Sequence, residues 1–548
     1  MTRNRFLTGF MFSMILGCQA ESSRFLDDRG VAYGFDHIQP SASLKWTPCF
    51  DAFTCAKLEV PLDYSNRDLG KASIAFIKLA GKNATVDSPS IVLIPGGPGG
   101  SGVDLLLSFQ TLAGPMIGEE YNFVSFDPRG VNNSDLVLDC FSGDSEARSA
   151  FNRVHNTGVT NVSSTSVEEQ YYSSSIYGEW CNNAVKTKSP HGYYVTTPAV
   201  AHDLLTFIEA EAELIGRPPS DAKLWSYGVS FGTVTGVTFA SMFPDRVERM
   251  VLDGVLNAEQ YYQNVVTDNV DQLDLAIEKF SSFCHSAGSK DCSFWGPTTA
   301  NITARLNGII DWFRDHPVPI SGVQSRDLPT MVTYSDLKAL FLNSLYTPLS
   351  GFPTMADTLR QIELGNVSTL AGAFEGLVSV TSDARFAIEC TDSYRTNRLS
   401  TIEEFQNYAE YTTSKSKYIG DLAPVFLNNI LCRSFRPQLP DSMVFQALTD
   451  ILLSRPEGGN KQAYIFPDTV RKQYCRSYNS LDIVCFILMA HFEYLLTFRF
   501  RLARARKASS RFPGSKLLLQ EAIGVSYYPK SITTHPKQET GLTYGDVS

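Results

Sequence analysis

Short apolar runs recur along the N-terminal half of the chain, each stopped by a turn signal. They are KLEVPLDY (Lys57–Tyr64), ASIAFIKLA (Ala72–Ala80), SIVLIPG (Ser90–Gly96) and YNFVSFDPRG (Tyr121–Gly130). Ile91 to Ile94 is apolar at every position, the pattern of a strand buried on both faces. KLWSYG (Lys223–Gly228) and RMVLDGV (Arg249–Val255) repeat it. Between them, Thr197 to Leu214 has helical periodicity, with Val200, Leu204, Phe207, Ile208 and Ala212 on one face. Pro198 near its start and Gly216 just past its end are the expected punctuation. A further helix is expected to end near Phe243. Strands alternating with helices predict a largely parallel sheet covered on both sides. Residues 21–45 read as an irregular lead-in, and the Ser/Asn/Tyr-rich residues 141–195 as loop plus helix. Residues 260–430 carry helix-like stretches and few strand signals, so an inserted helical unit is expected. There is no internal repeat.

Composition supports this picture. The 548 residues are 43% hydrophobic and 19% charged, enough to bury a large core, which excludes disorder as the main state. A net charge of −10 excludes a broad basic footprint for nucleic acid. The first twenty residues pair a basic start (Arg3, Arg5) with an apolar run, Phe6 to Leu16, and small residues at Cys18 and Ala20. That is the layout of a secretory signal peptide; its apolar run is short for a membrane anchor, and Ile15-Leu16-Gly17-Cys18 only faintly matches a lipoprotein box. Removing Arg3 and Arg5 with it takes the net charge from −10 to −12. Sequons begin at Asn83, Asn132, Asn161, Asn301 and Asn366, close to the roughly three or four expected by chance. Ten of the 11 cysteines remain after cleavage, and in an oxidising compartment they are expected to pair. Short loops favour Cys49–Cys55 and Cys284–Cys292; Cys140–Cys181 and Cys390–Cys432 are further candidates. No C-x-x-C pair supports a structural zinc.

Two motifs carry chemistry. Gly228-Val229-Ser230-Phe231-Gly232 follows a predicted strand and opens a predicted helix, the context of a nucleophile elbow. Its glycines permit a tight turn, and the helix N-terminus favours developing negative charge. The second is Pro95-Gly96-Gly97-Pro98-Gly99-Gly100-Ser101-Gly102, directly after a buried strand. Such a loop lets backbone N–H groups approach a substrate oxyanion. It lacks the Gly-Lys-Ser/Thr and G-x-G-x-x-G patterns of phosphate loops.

The order and spacing of IVLIPGGPGGSG, FDPRGVNNSD, SYGVSFGTVTG and PDRVERMVLDGV resemble the α/β-hydrolase peptidases of the tripeptidyl aminopeptidase and proline iminopeptidase group. The W-x-x-C…VPLDY stretch and AIECTDS (Ala387–Ser393) resemble its secreted members. The resemblance covers roughly residues 45–435. It implies an α/β-hydrolase core over 45–258 and 433–525 with a helical cap over 259–432. It implies Ser230 as nucleophile, with the Phe231 and Gly97 N–H groups as oxyanion hole. Asp127 and Arg129 fall in the D-x-R-G turn and Asp253 at a strand end, all expected to be architectural. Glu389 and Asp392 are candidates to pair with a peptide's free α-ammonium. The implied partner is a peptide substrate, and the chemistry calls for no metal or organic cofactor. An esterase or lipase of the same fold is the alternative.

The pattern breaks near the end. This family places an acid in a motif like D-P-V-T-P and a histidine in a G-H motif after F-P-G-S. RKASSRFPGSKLLLQEAIG (Arg506–Gly524) resembles the stretch leading to that histidine, but Val525, Ser526 and Tyr527 follow. No D-P-x-T-P lies between Gln446 and Arg506. VCFILMAHFEYLLTFRFRLARAR (Val484–Arg506) stands there instead; it includes His491 and Glu493, and its apolar run is too short to span a membrane. Residues 447–505 and 526–548 are therefore atypical. They fit either an intron or splice error in the coding sequence, which transcript sequencing decides, or a catalytically incomplete chain. His491 and His535 follow Ser230 without supporting context.

Overall fold

The computed structural model describes residues 30–445, apart from short stretches at 157, 190, 272, 322–328, 380–382, 397–398 and 428, and the strands Cys485–Leu488 and Lys516–Leu519. The signal segment 1–20, His491, His535 and the tail 526–548 lie outside the described residues.

Twelve strands are described: β1 (Pro40–Ser41), β2 (Thr47–Cys49), β3 (Phe53–Asp63), β4 (Asn66–Leu79), β5 (Ser90–Ile94), β6 (Asn122–Phe126), β7 (Leu224–Val229), β8 (Val247–Asp253), β9 (Val318–Ile320), β10 (Thr330–Val332), β11 (Cys485–Leu488) and β12 (Lys516–Leu519). Ten form one sheet in the order β1-β3-β4-β6-β5-β7-β8-β11-β12, with β2 on β3. β3, β4 and β6 pair antiparallel, and β6 to β12 run parallel along the sheet. β11 therefore extends the sheet beside β8 from within the stretch that departs from the family pattern.

The sheet is parallel here because Ile91 to Ile94 are apolar and buried and β6 is buried along its whole length, which suits strands covered on both faces. One face packs under Phe76, Val92, Phe126, Phe207 and Phe239, the other under Ile77, Ile91, Leu93, Leu106 and Phe123. The helix Thr197–Leu214 has the predicted bounds; the Thr196 hydroxyl accepts from the Ala199 N–H at its start.

Two helical excursions interrupt the strand order. The first, Ser145–His155 and Ser166–Lys188, follows β6. The second follows β8 and has its own apolar cluster, including Phe280, Phe294, Ile310, Phe341 and Leu359. It also holds the β9–β10 hairpin, which the sequence pattern does not announce. Its helix Asp383–Asp392 leaves that cluster and packs on the main core through Phe386, Ile388 and Cys390. All four expected disulfides are present: Cys49–Cys55, Cys140–Cys181, Cys284–Cys292 and Cys390–Cys432. Cys140, Cys181 and Asp383 have the proximity of a metal site. They do not fit one, because both thiols are spent in a disulfide and Asp383 accepts from Arg148, Tyr177 and the Cys140 N–H.

Candidate active site

The chain reverses direction across the sheet at β5: β6 lies on one side of it and β7 on the other. Such switch points open a crevice at the carboxyl ends of the strands. The glycine loop leaves β5 there and the elbow leaves β7, with Ile94 in register with Gly228.

Ser230 sits at φ 54°, the left-handed conformation that a non-glycine residue adopts only under constraint. Three bonds impose it. The Ser230 N–H donates to the Asp253 carbonyl at 2.8 Å, and its own carbonyl accepts from the Thr233 N–H at 2.9 Å and the Thr233 hydroxyl at 2.6 Å. The flanking glycines are required by close approach: a Cβ on Gly228 would lie 2.5 Å from the Gly232 carbonyl, and one on Gly232 2.3 Å from the Ile94 carbonyl. The Ser230 side chain is buried, and its hydroxyl has no hydrogen-bond partner among the described residues.

The glycine loop lies against this serine. A Cβ on Gly96 would stand 3.1 Å from the Ser230 Cβ. Gly97 has φ 118°, and a Cβ there would meet the Gly99 and Gly100 nitrogens at 2.8 Å, so no side chain fits. Among the described residues neither the Gly97 nor the Phe231 N–H has an intramolecular acceptor. Two unclaimed donors beside a serine hydroxyl is the arrangement an oxyanion requires.

Asp127 and Arg129 are structural. Asp127 accepts from the Ser101 hydroxyl (2.6 Å) and Val103 N–H (3.1 Å) on one oxygen, and from the Asn133 N–H (3.0 Å) and side-chain amide (2.8 Å) on the other, fixing the far end of the glycine loop. Burial nonetheless pushes its carboxyl above the usual range. Asp253 ends β8, accepts from the Tyr227 hydroxyl at 2.6 Å, and serves the elbow through its carbonyl.

Glu389 and Asp392 lie one helical turn apart on the helix Asp383–Asp392 but have different surroundings. Glu389 lines a cavity together with Gly97, Pro98, Asn257, Tyr261 and Arg385. Its Oε1 accepts from Arg385 Nε at 3.0 Å, and its second oxygen has no donor among the described residues. Burial raises its carboxyl above the usual range, partly offset by Arg385. Asp392 is absent from the cavity wall. It accepts from the Thr197 N–H (2.8 Å), the Thr197 hydroxyl (2.5 Å) and the Tyr261 hydroxyl (2.8 Å). The Tyr261 ring in turn packs 5.1 Å from that of Phe231. Asp392 thus tethers the cavity wall to the oxyanion residue, a link that the spacing of two carboxylates does not reveal.

Burial pushes the Asp392 carboxyl up to about 7, against the Thr197 and Tyr261 donors and with help from the Glu389 charge. A raised folded value means that the folded chain holds a proton the unfolded chain has lost. Stability from this group is therefore complete below pH ~4 and lost as pH rises toward 7, by roughly 4 kcal/mol at most. Asp392→Asn is expected to flatten the pH dependence of unfolding between pH 4 and 7; urea titrations that keep the same slope in the variant would disprove this.

Five of the six described histidines are engaged elsewhere: His202 stacks on Tyr64, His285 bonds the Gly296 carbonyl, His316 the Trp312 carbonyl, and His155 and His191 pack on Phe151 and Tyr194; the sixth, His37, lies in the lead-in before β1. No general base for Ser230 is found among the described residues.

Residues 89–276 match the family described as alpha/beta hydrolase fold. The chain is 28% identical over 403 residues to "Serine protease Hip1" of Mycobacterium tuberculosis, spanning 69% of this chain and 73% of that protein. It is 26% identical over 376 residues to "Tripeptidyl aminopeptidase" of Streptomyces coelicolor, spanning 64% and 63%. It is 23% identical over 397 residues to "Carboxylesterase B" of Mycobacterium tuberculosis, spanning 68% and 70%. Sheet order, strained elbow serine and the match over residues 89–276 agree on the α/β-hydrolase fold for this chain.

Proposed function

We propose that this site is that of a secreted serine aminopeptidase, which releases residues or short peptides from free N-termini through an acyl-enzyme at Ser230. The observation that carries the reading is the cavity running from Gly97 and Pro98 to Glu389, whose second carboxylate oxygen has no donor among the described residues. A peptide carbonyl beside Ser230 would place its oxygen on the Gly97 and Phe231 N–H groups. Its free ammonium would lie against Glu389, while Asp392 holds Tyr261 in the wall. In this chemistry a histidine takes the serine proton, the N–H pair stabilises the tetrahedral intermediate, and water releases the acyl group. The four disulfides suit an oxidising compartment. No helix among the described residues is long and apolar enough to cross a membrane.

Binding tests the ammonium assignment without needing turnover. Ala-Ala-Ala is expected to bind the full chain at least about tenfold tighter than N-acetyl-Ala-Ala-Ala, since a charge-assisted hydrogen bond contributes roughly 1.5–3 kcal/mol. Glu389→Gln should erase most of that difference. Equal binding of both peptides to the unaltered chain would remove the aminopeptidase reading. Tighter binding of short acyl esters would favour an esterase, the reading that the carboxylesterase relative supports.

A further inference from the structure

A second recess adjoins the cavity that Glu389 lines. Leu427 and Asn269 line both spaces, and the Arg385 guanidinium at the first lies 5.4 Å from the ring of Phe426, which lines the second. The second recess has no residue of the glycine loop or elbow in its wall. Along the wall the order is therefore oxyanion loop, Glu389–Arg385 pair, apolar recess.

The recess has almost no polar surface. Leu273, Leu342, Leu345, Ile419 and Ala423 line it, all buried. Four of them come from three separate helical segments of the second excursion, Leu273 from Leu273–Asp291, Leu342 and Leu345 from Tyr334–Tyr346, and Ala423 from Ala423–Phe426, and Ile419 lies in the turn before the last of these. Asp and Lys side chains are absent from its lining. An apolar space beside a charged pair is filled with net gain only by an apolar group, because a charged one entering it loses water without a partner.

We propose that this recess selects the substrate's N-terminal side chain, favouring peptides that begin with a bulky aliphatic residue such as leucine. The proposal rests on the aminopeptidase reading: an ammonium held at Glu389 puts the side chain on the same α-carbon at the mouth of the recess. The occupant is that side chain because the recess shares Asn269 and Leu427 with the cavity that Glu389 lines and has no glycine-loop or elbow residue in its wall. Full burial of a leucine side chain is worth about tenfold to a hundredfold in affinity.

Calorimetric binding of three peptides to the full chain tests this: Leu-Ala-Ala, Gly-Ala-Ala and N-acetyl-Leu-Ala-Ala. Leu-Ala-Ala is expected to bind at least tenfold tighter than Gly-Ala-Ala. Ala423→Leu, which fills the recess, should bring that ratio near one while leaving the acetylation effect in place. Leu342→Ala, which enlarges it, should shift preference to Phe-Ala-Ala and serves if the filled variant does not fold. A leucine-to-glycine ratio within twofold overturns the proposal even if acetylation still weakens binding. A strong leucine preference with no acetylation effect keeps the recess and defeats the ammonium assignment. Tighter binding of octanoate than of Leu-Ala-Ala would assign the recess to an acyl chain and overturn the proposal, as would no measurable binding of any of the three peptides.

Discussion

The chain as it stands is expected to hydrolyse a tripeptidyl amide about a million-fold more slowly than an enzyme with a complete Ser-His-Asp set, and Ser230→Ala is expected to change that rate by less than about tenfold. The argument is one of non-additivity. The serine gains its reactivity from a base that removes its proton, so loss of the histidine costs nearly as much as loss of all three groups. Here the Ser230 hydroxyl has no partner among the described residues, and Val525 stands where the family pattern places histidine. What remains is the oxyanion pair and substrate binding, together worth roughly 10³–10⁴ over water. Steady-state hydrolysis of a fluorogenic tripeptidyl amide checks both statements. Near-normal turnover that collapses in Ser230→Ala would overturn them and show that a histidine outside the described residues completes the site.

The second large effect falls on stability. Arg129 is fully buried and forms a two-pronged pair with Asp203, Nε to Oδ2 and Nη2 to Oδ1, both at 2.7 Å. Its remaining donors reach the Leu62 carbonyl at 2.7 Å and the Pro61 carbonyl at 2.6 Å, and the Tyr64 hydroxyl donates to Asp203 at 2.8 Å. This one side chain therefore ties the turn after β6 to the end of β3 and to the helix Thr197–Leu214. Asp203→Ala leaves a buried guanidinium uncompensated and is expected to cost about 3–5 kcal/mol. Arg129→Met with Asp203→Leu removes both charges and should recover part of that loss, because two desolvation penalties disappear together. Denaturant unfolding of the single and double variants decides it: a double variant no more stable than Asp203→Ala would place the cost in packing instead of in the stranded charge.

The candidate site was partly visible before the fold. Gly228 to Gly232 and Gly96 to Gly100 could be read as an elbow and an N–H-bearing loop because each requirement is local: a turn too tight for Cβ atoms, after a strand buried on both faces. The two nearby-cysteine disulfides followed from short loops. Arg129 could be placed in a turn motif, but not paired with Asp203, 74 residues away, since nothing local marks that partner. Glu389 and Asp392 looked equivalent in the sequence because they share a helix and a charge. Their difference comes from what packs against them: Arg385 and open space for one, Thr197 and Tyr261 for the other.

By itself, then, the sequence determined the elements and the reactive turn, because hydrophobic period, caps and glycine positions act over a few residues. Only the tertiary structure decided that β5 and β7 are neighbours, so that Gly96 meets Ser230, and that the helix Asp383–Asp392 brings one carboxylate to the cavity and turns the other into a tether. It also placed β11 and β12 beyond β8, although β11 comes from the stretch that departs from the family pattern. Those outcomes depend on contacts between residues far apart in the chain, whose free energy is not available until the sheet has closed its register around them.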